Sequence, residues 1–128
     1  MQVTLPEPVI VRAPESQEMS ADEYFDAVCA ANPDMRIEQL SSGEIVIMPP
    51  TGLESGYRNT EITGQLRDWA RRDGRGVPGD SSTEYRLPNG AKRSPDASWT
   101  AKDRLAGLSR EEKRGFPPLC PDFVIELR

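Results

Sequence analysis

Arg93-Ser94-Pro95-Asp96-Ala97-Ser98-Trp99 and Asp122-Phe123-Val124-Ile125-Glu126-Leu127-Arg128 are the two stretches on which the reading of this chain turns. Each sets one carboxylate on a run of strand-like residues: Asp96 ahead of Ala97-Ser98-Trp99, and Glu126 within Val124-Ile125-Glu126-Leu127. A charge buried in a strand without a partner is very costly to desolvate, so each acid asks for a cation. If the two strands pair, both carboxylates reach one spot at a sheet end. Mg²⁺ suits such a spot, because it takes one or two carboxylates and completes its shell with waters and phosphate oxygens. An ion held there polarises a phosphate and lowers the pKa of a water nucleophile, which points to hydrolysis of phosphodiesters.

Further candidates lie around this pair. Glu61 sits early on a predicted helix, one turn before Gln65, at the border of the apolar positions Ile62 and Leu66. It is a third acid for the same site. Arg128 stands two residues past Glu126 and projects to the same sheet face by the strand period of two. It and Arg58 are candidates to meet the scissile phosphate or the charge that develops on it. Each residue taken alone also has an ordinary explanation. Pro-Asp is a common turn pair, and acids or arginines on a helix face or near a chain end are usually solvated. The combination carries the reading.

The rest of the chain predicts a mixed α/β domain. Residues 1–18 are rich in Pro and Glu without a period and read as an extended arm, with a domain over 19–128. Ser20-x-x-Glu23 is a capping box with Met19 and Tyr24 at the staple positions, so a helix runs to about Ala31 and stops at Asn32-Pro33. Arg36 to Leu40 and Glu44 to Met48 alternate like strands around Ser41-Ser42-Gly43, a hairpin. A second helix follows from about Ser55 to Asp73, with Ile62, Leu66, Trp69 and Ala70 as one buried stripe, ended by Gly74 and Gly76. A strand at Thr83 to Leu87, a Pro88-Asn89-Gly90 turn and the strand carrying Asp96 come next. Ala101 to Arg114 is helix or loop with a cap at Ser109-x-x-Glu112, and the last strand closes the order. The expected architecture is helices packed on a twisted sheet.

Composition sets limits. A chain of 128 residues, 36% apolar and 6% aromatic, supports one domain with a modest core. It has no histidine, which excludes a Ser-His-Asp triad, a Cys-His dyad and His-based zinc sites. Cys29 and Cys120 show no metal-ligand spacing and read as small apolar fillers. A net charge of −5 argues against a protein that coats nucleic acid, since phosphate contacts need Lys and Arg. The charge is uneven, however. Arg58, Arg67, Arg71, Arg72, Arg75, Lys92 and Arg93 fall in the middle third, and Arg58, Lys92 and Arg93 are the nucleic-acid candidates. With no membrane-length apolar run and no signal peptide, a soluble cytoplasmic protein is expected.

Taken in order, these residues resemble a known family. Ser94-Pro95-Asp96 followed by Glu126-Leu127-Arg128 looks like the PD-(D/E)xK nuclease signature, with Arg128 in the Lys place. The ordered set Met19–Phe25, Arg36–Leu40, Gly43–Pro50, Arg58–Ile62, Tyr85–Gly90, Arg93–Trp99 and Pro121–Arg128 resembles the Uma2 group of restriction endonucleases over nearly the whole chain. The resemblance implies a restriction-endonuclease-like α+β fold and Mg²⁺- or Mn²⁺-dependent cleavage of DNA. It implies Asp96 and Glu126 as metal ligands, and Glu61 and Arg128 as further residues of the catalytic site. Two departures stand against it. Arg never deprotonates, so Arg128 cannot act as a base. The chain also ends where family members continue with a Ser-Pro segment, a Lys-bearing helix and closing strands, which implies a domain incomplete at its C-terminus. The rival expectation is therefore a catalytically inactive remnant that binds another protein, or a second copy of itself, through its last strand by β-augmentation.

Overall fold

The computed structural model describes residues 7–11 and 18–127. Arg128 and most of the N-terminal arm lie outside the described residues. Helix α1 (Ala21–Ala31) starts where the cap predicts, the Glu23 N–H donating to Ser20 Oγ at 3.1 Å, and ends at Asn32. It turns Phe25 inward, fully buried against Ile37 and Ile45, with Tyr24, Val28 and Phe116 around them. The two isoleucines come from the predicted hairpin, β2 (Arg36–Gln39) and β3 (Ile45–Met48), paired antiparallel with Ile37 opposite Ile47.

This hairpin is the centre of a five-stranded sheet. On one side β3 pairs with β1 (Val9–Val11), a strand within the stretch expected to be an extended arm. On the other side β2 pairs with β6 (Lys92–Arg93), which returns from β5 (Tyr85–Arg86). The turn between them needs Gly90, whose φ of 89° is one that L side chains rarely adopt.

Helix α2 (Leu53–Asp73) ends at Gly74, whose φ of 77° makes a left-handed cap. It packs on a second, three-stranded sheet, antiparallel throughout, in the order β4 (Gly76–Gly79), β7 (Ala97–Ala101), β8 (Phe123–Ile125). The helix α3 (Lys102–Leu105) and the helix α4 (Arg110–Arg114), which opens on the complete Ser109/Glu112 capping box, bridge β7 to β8.

Three expectations change in detail. There are two sheets, and the strand expected to carry Asp96 is divided between them. Lys92 and Arg93 belong to the first sheet, Ala97 onward to the second, and Asp96 lies in the Ser94-Pro95-Asp96 link. Trp69 does not join the buried stripe. Leu66 and Ala70 are buried, whereas Trp69 is 41% exposed and stands edge-on to Trp99, ring centroids 5.5 Å apart. Glu126 follows β8 and does not lie within it. The fold class stands: a mixed α+β domain of antiparallel sheets and helices, consistent with a restriction-endonuclease-like arrangement.

Candidate functional site

The site forms at the seam between the sheets. Its base is the pairing of β7 with β8, where Ala97 stands opposite Ile125. Asp96 precedes Ala97 and Glu126 follows Ile125, so antiparallel geometry brings the two acids to the same end of the strand pair. The main chain after β8 also holds Asp96 directly: the Leu127 N–H donates to Asp96 Oδ2 at 2.6 Å. Asp96 is buried and Glu126 is exposed. Burial, then the charges of Asp96 and Glu38, raise the Glu126 carboxyl above its ordinary pKa, while Arg36 and Arg93 act the other way.

Strand β2 supplies the other half. By the strand period, Arg36 and Glu38 share a face while Ile37 enters the core. Both grip the link that carries Asp96. Glu38 Oε1 accepts the Ser94 N–H at 3.1 Å and the Ser94 hydroxyl at 3.3 Å. Arg36 Nε donates to Ser94 Oγ at 3.2 Å, and its Nη2 donates to the Ser94 carbonyl. Arg36 Nη1 then lies 3.5 Å from Asp96 Oδ1, and Arg93 Nη1 lies 3.3 Å from Glu38 Oε2.

A further acid, Glu84, is buried next to this group. Burial first, and the Glu38 charge second, push its carboxyl up to about 8, so it is neutral at pH 7. Among the described residues its Oε1 has no hydrogen-bond partner. Glu84, Arg36 and Ser94 line a cavity of about 610 Å³ between the end of α1 and the loop before β5. Arg36 also lines a second cavity of about 620 Å³ with Asn59 of α2.

Some expected residues do not join this group. Lys92, expected to meet nucleic acid, is buried and only 2% exposed. Its ammonium donates to Asp22 and to Gln39 Oε1, and lies 5.5 Å from the centre of the Phe25 ring. Arg58 is exposed on α2 and paired with Glu54 at 2.5 Å. Glu61 is exposed on the same helix, and among the described residues no hydrogen bond or ion pair joins it to Asp96. Arg93 is half exposed beside Glu38. The role expected of Arg128 falls outside the described residues.

Arg36, Glu38 and Glu84 are the site residues that the motif reading misses. The pair Arg36-x-Glu38 on an alternating strand carries the same signal as Asp96 and Glu126, a charge within a strand. Glu84 carries none, because only tertiary packing buries it.

The carboxylates here are few and close to guanidinium groups. Among the described residues, no three acidic or thiol side chains form a ready metal cage. No curated protein matches the chain. The family model of Uma2, described as "Putative restriction endonuclease", matches residues 21–128, from the first turn of α1 through Asp96 and Glu126. The chain therefore belongs to the Uma2 family.

Proposed function

We propose that this protein is a metal-dependent endonuclease that hydrolyses phosphodiester bonds in DNA, with Asp96 and Glu126 as ligands of Mg²⁺ or Mn²⁺. The observation that carries the reading is the placing of these two acids at one end of the β7–β8 pair, where the charge of Asp96 raises the cost of charging Glu126. Two carboxylates at one end of a strand pair, with Glu126 exposed, fit the needs of Mg²⁺. When bound, such an ion polarises the phosphate and makes a water more acidic.

The chain's own groups do the rest. The Leu127 N–H and the Ser94 clamp fix Asp96, so its carboxylate needs little reorganisation. Glu126 is exposed, which leaves its carboxylate open to an ion and to water. Glu61 is not included among the ligands.

Thermal unfolding tests the site. An ion at a hundredfold excess over its Kd stabilises the native state by about 2.7 kcal/mol. Mn²⁺ is therefore expected to raise the Tm of the wild type by several degrees, and Asp96→Ala to abolish the rise. An equal rise in both proteins means that the ion binds elsewhere. Nicking of plasmid DNA in Mn²⁺, absent in EDTA and in Asp96→Ala, is the matching activity, and its absence from the wild type overturns the nuclease reading.

A second reading, capture of another chain along β8, is favoured by one observation. β8 is an edge strand, and its Phe123 and Val124 are about half exposed.

A further inference from the structure

The geometry points to Arg36 as the residue that binds the scissile phosphodiester, an inference that rests on the nuclease reading above. Four arginines and lysines stand out in the sequence for that role: Arg58, Lys92, Arg93 and Arg128. Of those described, Lys92 is closed inside the fold, Arg58 is paired along its own helix, and Arg93 lies on Glu38. Among the described residues, Arg36 is the guanidinium that forms an ion pair with Asp96.

Its donors are unevenly used. Nε and Nη2 hold the Ser94 hydroxyl and carbonyl, which fixes the plane of the guanidinium. Nη1 faces Asp96 at 3.5 Å, an ion pair too long for a good hydrogen bond. That end of the fork is thus aimed at the site with donors to spare, in the manner that suits a phosphate oxygen. The side chain is 28% exposed and forms a wall common to both cavities, so it is open to a ligand as well as to Asp96.

Charge balance agrees. Glu38, Asp96 and Glu126 are opposed by Arg36 and Arg93, which leaves the group one negative charge in excess. A divalent ion together with one phosphodiester brings that excess to zero. If Arg36 is lost, the same loaded site is left with one negative charge, and binding of the phosphodiester weakens. Glu38 is then a positioning residue. It touches Arg36 Nη2 at 3.9 Å and fixes the Ser94 backbone on which the guanidinium rests.

The salt dependence of DNA binding tests this. Anisotropy of a labelled 20-base-pair duplex is followed in Ca²⁺ over a series of salt concentrations, with wild type, Arg36→Gln and Arg36→Lys. Loss of one phosphate contact lowers the slope of log K against log salt by about 1. Arg36→Gln is expected to show that loss and to bind about tenfold more weakly or worse. Arg36→Lys keeps the charge and the slope but loses affinity, because an ammonium cannot hold the Ser94 fork. A merely structural residue would move the Tm and leave the slope alone. Should Arg36→Gln fail to fold, the wild type decides. Duplex is expected to protect Arg36 from phenylglyoxal, read by peptide mass mapping. An unchanged slope in a folded Arg36→Gln, or an unprotected Arg36 on bound wild type, overturns the inference. Wild type that does not bind the duplex at all overturns the nuclease reading itself.

Discussion

At Glu84 the fold holds a carboxyl as a neutral acid. Burial and the Glu38 charge raise its pKa from 4.5 in the unfolded chain to about 8. Between those values the native state binds more protons than the unfolded state, so stability falls as pH rises. The contribution is fully favourable below about pH 4.5, is lost progressively up to about 8, and is flat above. Glu84→Gln keeps the shape and removes the titration. Its unfolding free energy is expected to gain on the wild type between pH 5 and 9, by about 1.4 kcal/mol for each unit of displacement at the upper limit. Urea titrations at pH 5, 7 and 9 measure the gain, and parallel profiles for the two proteins would refute the assignment. Nothing in Thr83-Glu84-Tyr85 announces this behaviour. Asp96 and Glu126 are legible in the sequence because each sits against an apolar run. Arg36 and Glu38 are half legible, since the alternation from Arg36 to Leu40 marks a strand while charged residues on an alternating strand ordinarily face solvent. Lys92 misleads because a lysine beside an arginine looks like surface, whereas Asp22, Gln39 and the Phe25 ring give it an interior place.

Among the elements, β4 is the one that composition hides. Gly76-Val77-Pro78-Gly79 reads as a break, since glycine and proline disfavour strands. Yet Gly76 pairs with Ala101, and its missing side chain is what lets Trp99 lie across it. A Cβ at Gly76 would stand 2.2 Å from Trp99 Cε2. Gly64 in α2 is the opposite case, with nothing within 4 Å of an added Cβ. Two alanine substitutions should therefore differ in sign. Gly76→Ala is expected to cost about 1–3 kcal/mol or more by overpacking, and to change tryptophan fluorescence as the Trp69–Trp99 edge contact shifts. Gly64→Ala should stabilise by about 0.5–1 kcal/mol through helix propensity. Denaturant midpoints compare them directly, and a neutral Gly76→Ala would mean that Trp99 has room to move. The helices were easier to read than β4. The Ser20 and Ser109 caps and the glycine after Asp73 are local signals, which do not depend on what packs against them.

On the scale of the molecule, two edges invite company. β1 bounds one sheet and β8 the other, and Val9, Ile10, Val11, Phe123 and Val124 are each between 40% and 58% exposed. Unpaired strand edges with apolar side chains recruit further strands. Sedimentation velocity is expected to show concentration-dependent association, reduced in Val124→Lys. A wild type that stays monomeric at about 100 µM, well above typical weak-interface Kd values, would refute it. That two sheets exist at all was hidden from the sequence, because Ser94-Pro95-Asp96 looks like the start of one strand and is instead the passage between two. This passage has a consequence for the lineage of such chains. Its three-residue length is a functional dimension, independent of its chemistry. One residue inserted between Asp96 and Ala97 moves Asp96 by about 3.3 Å relative to β7, away from the end it shares with Glu126. Every strand can survive such an insertion, and so can the core around Phe25. The same insertion in the Pro88-Asn89-Gly90 turn only lengthens a surface loop. A chain of this design can thus keep its fold intact and lose the pairing of its two acids through a single change of spacing.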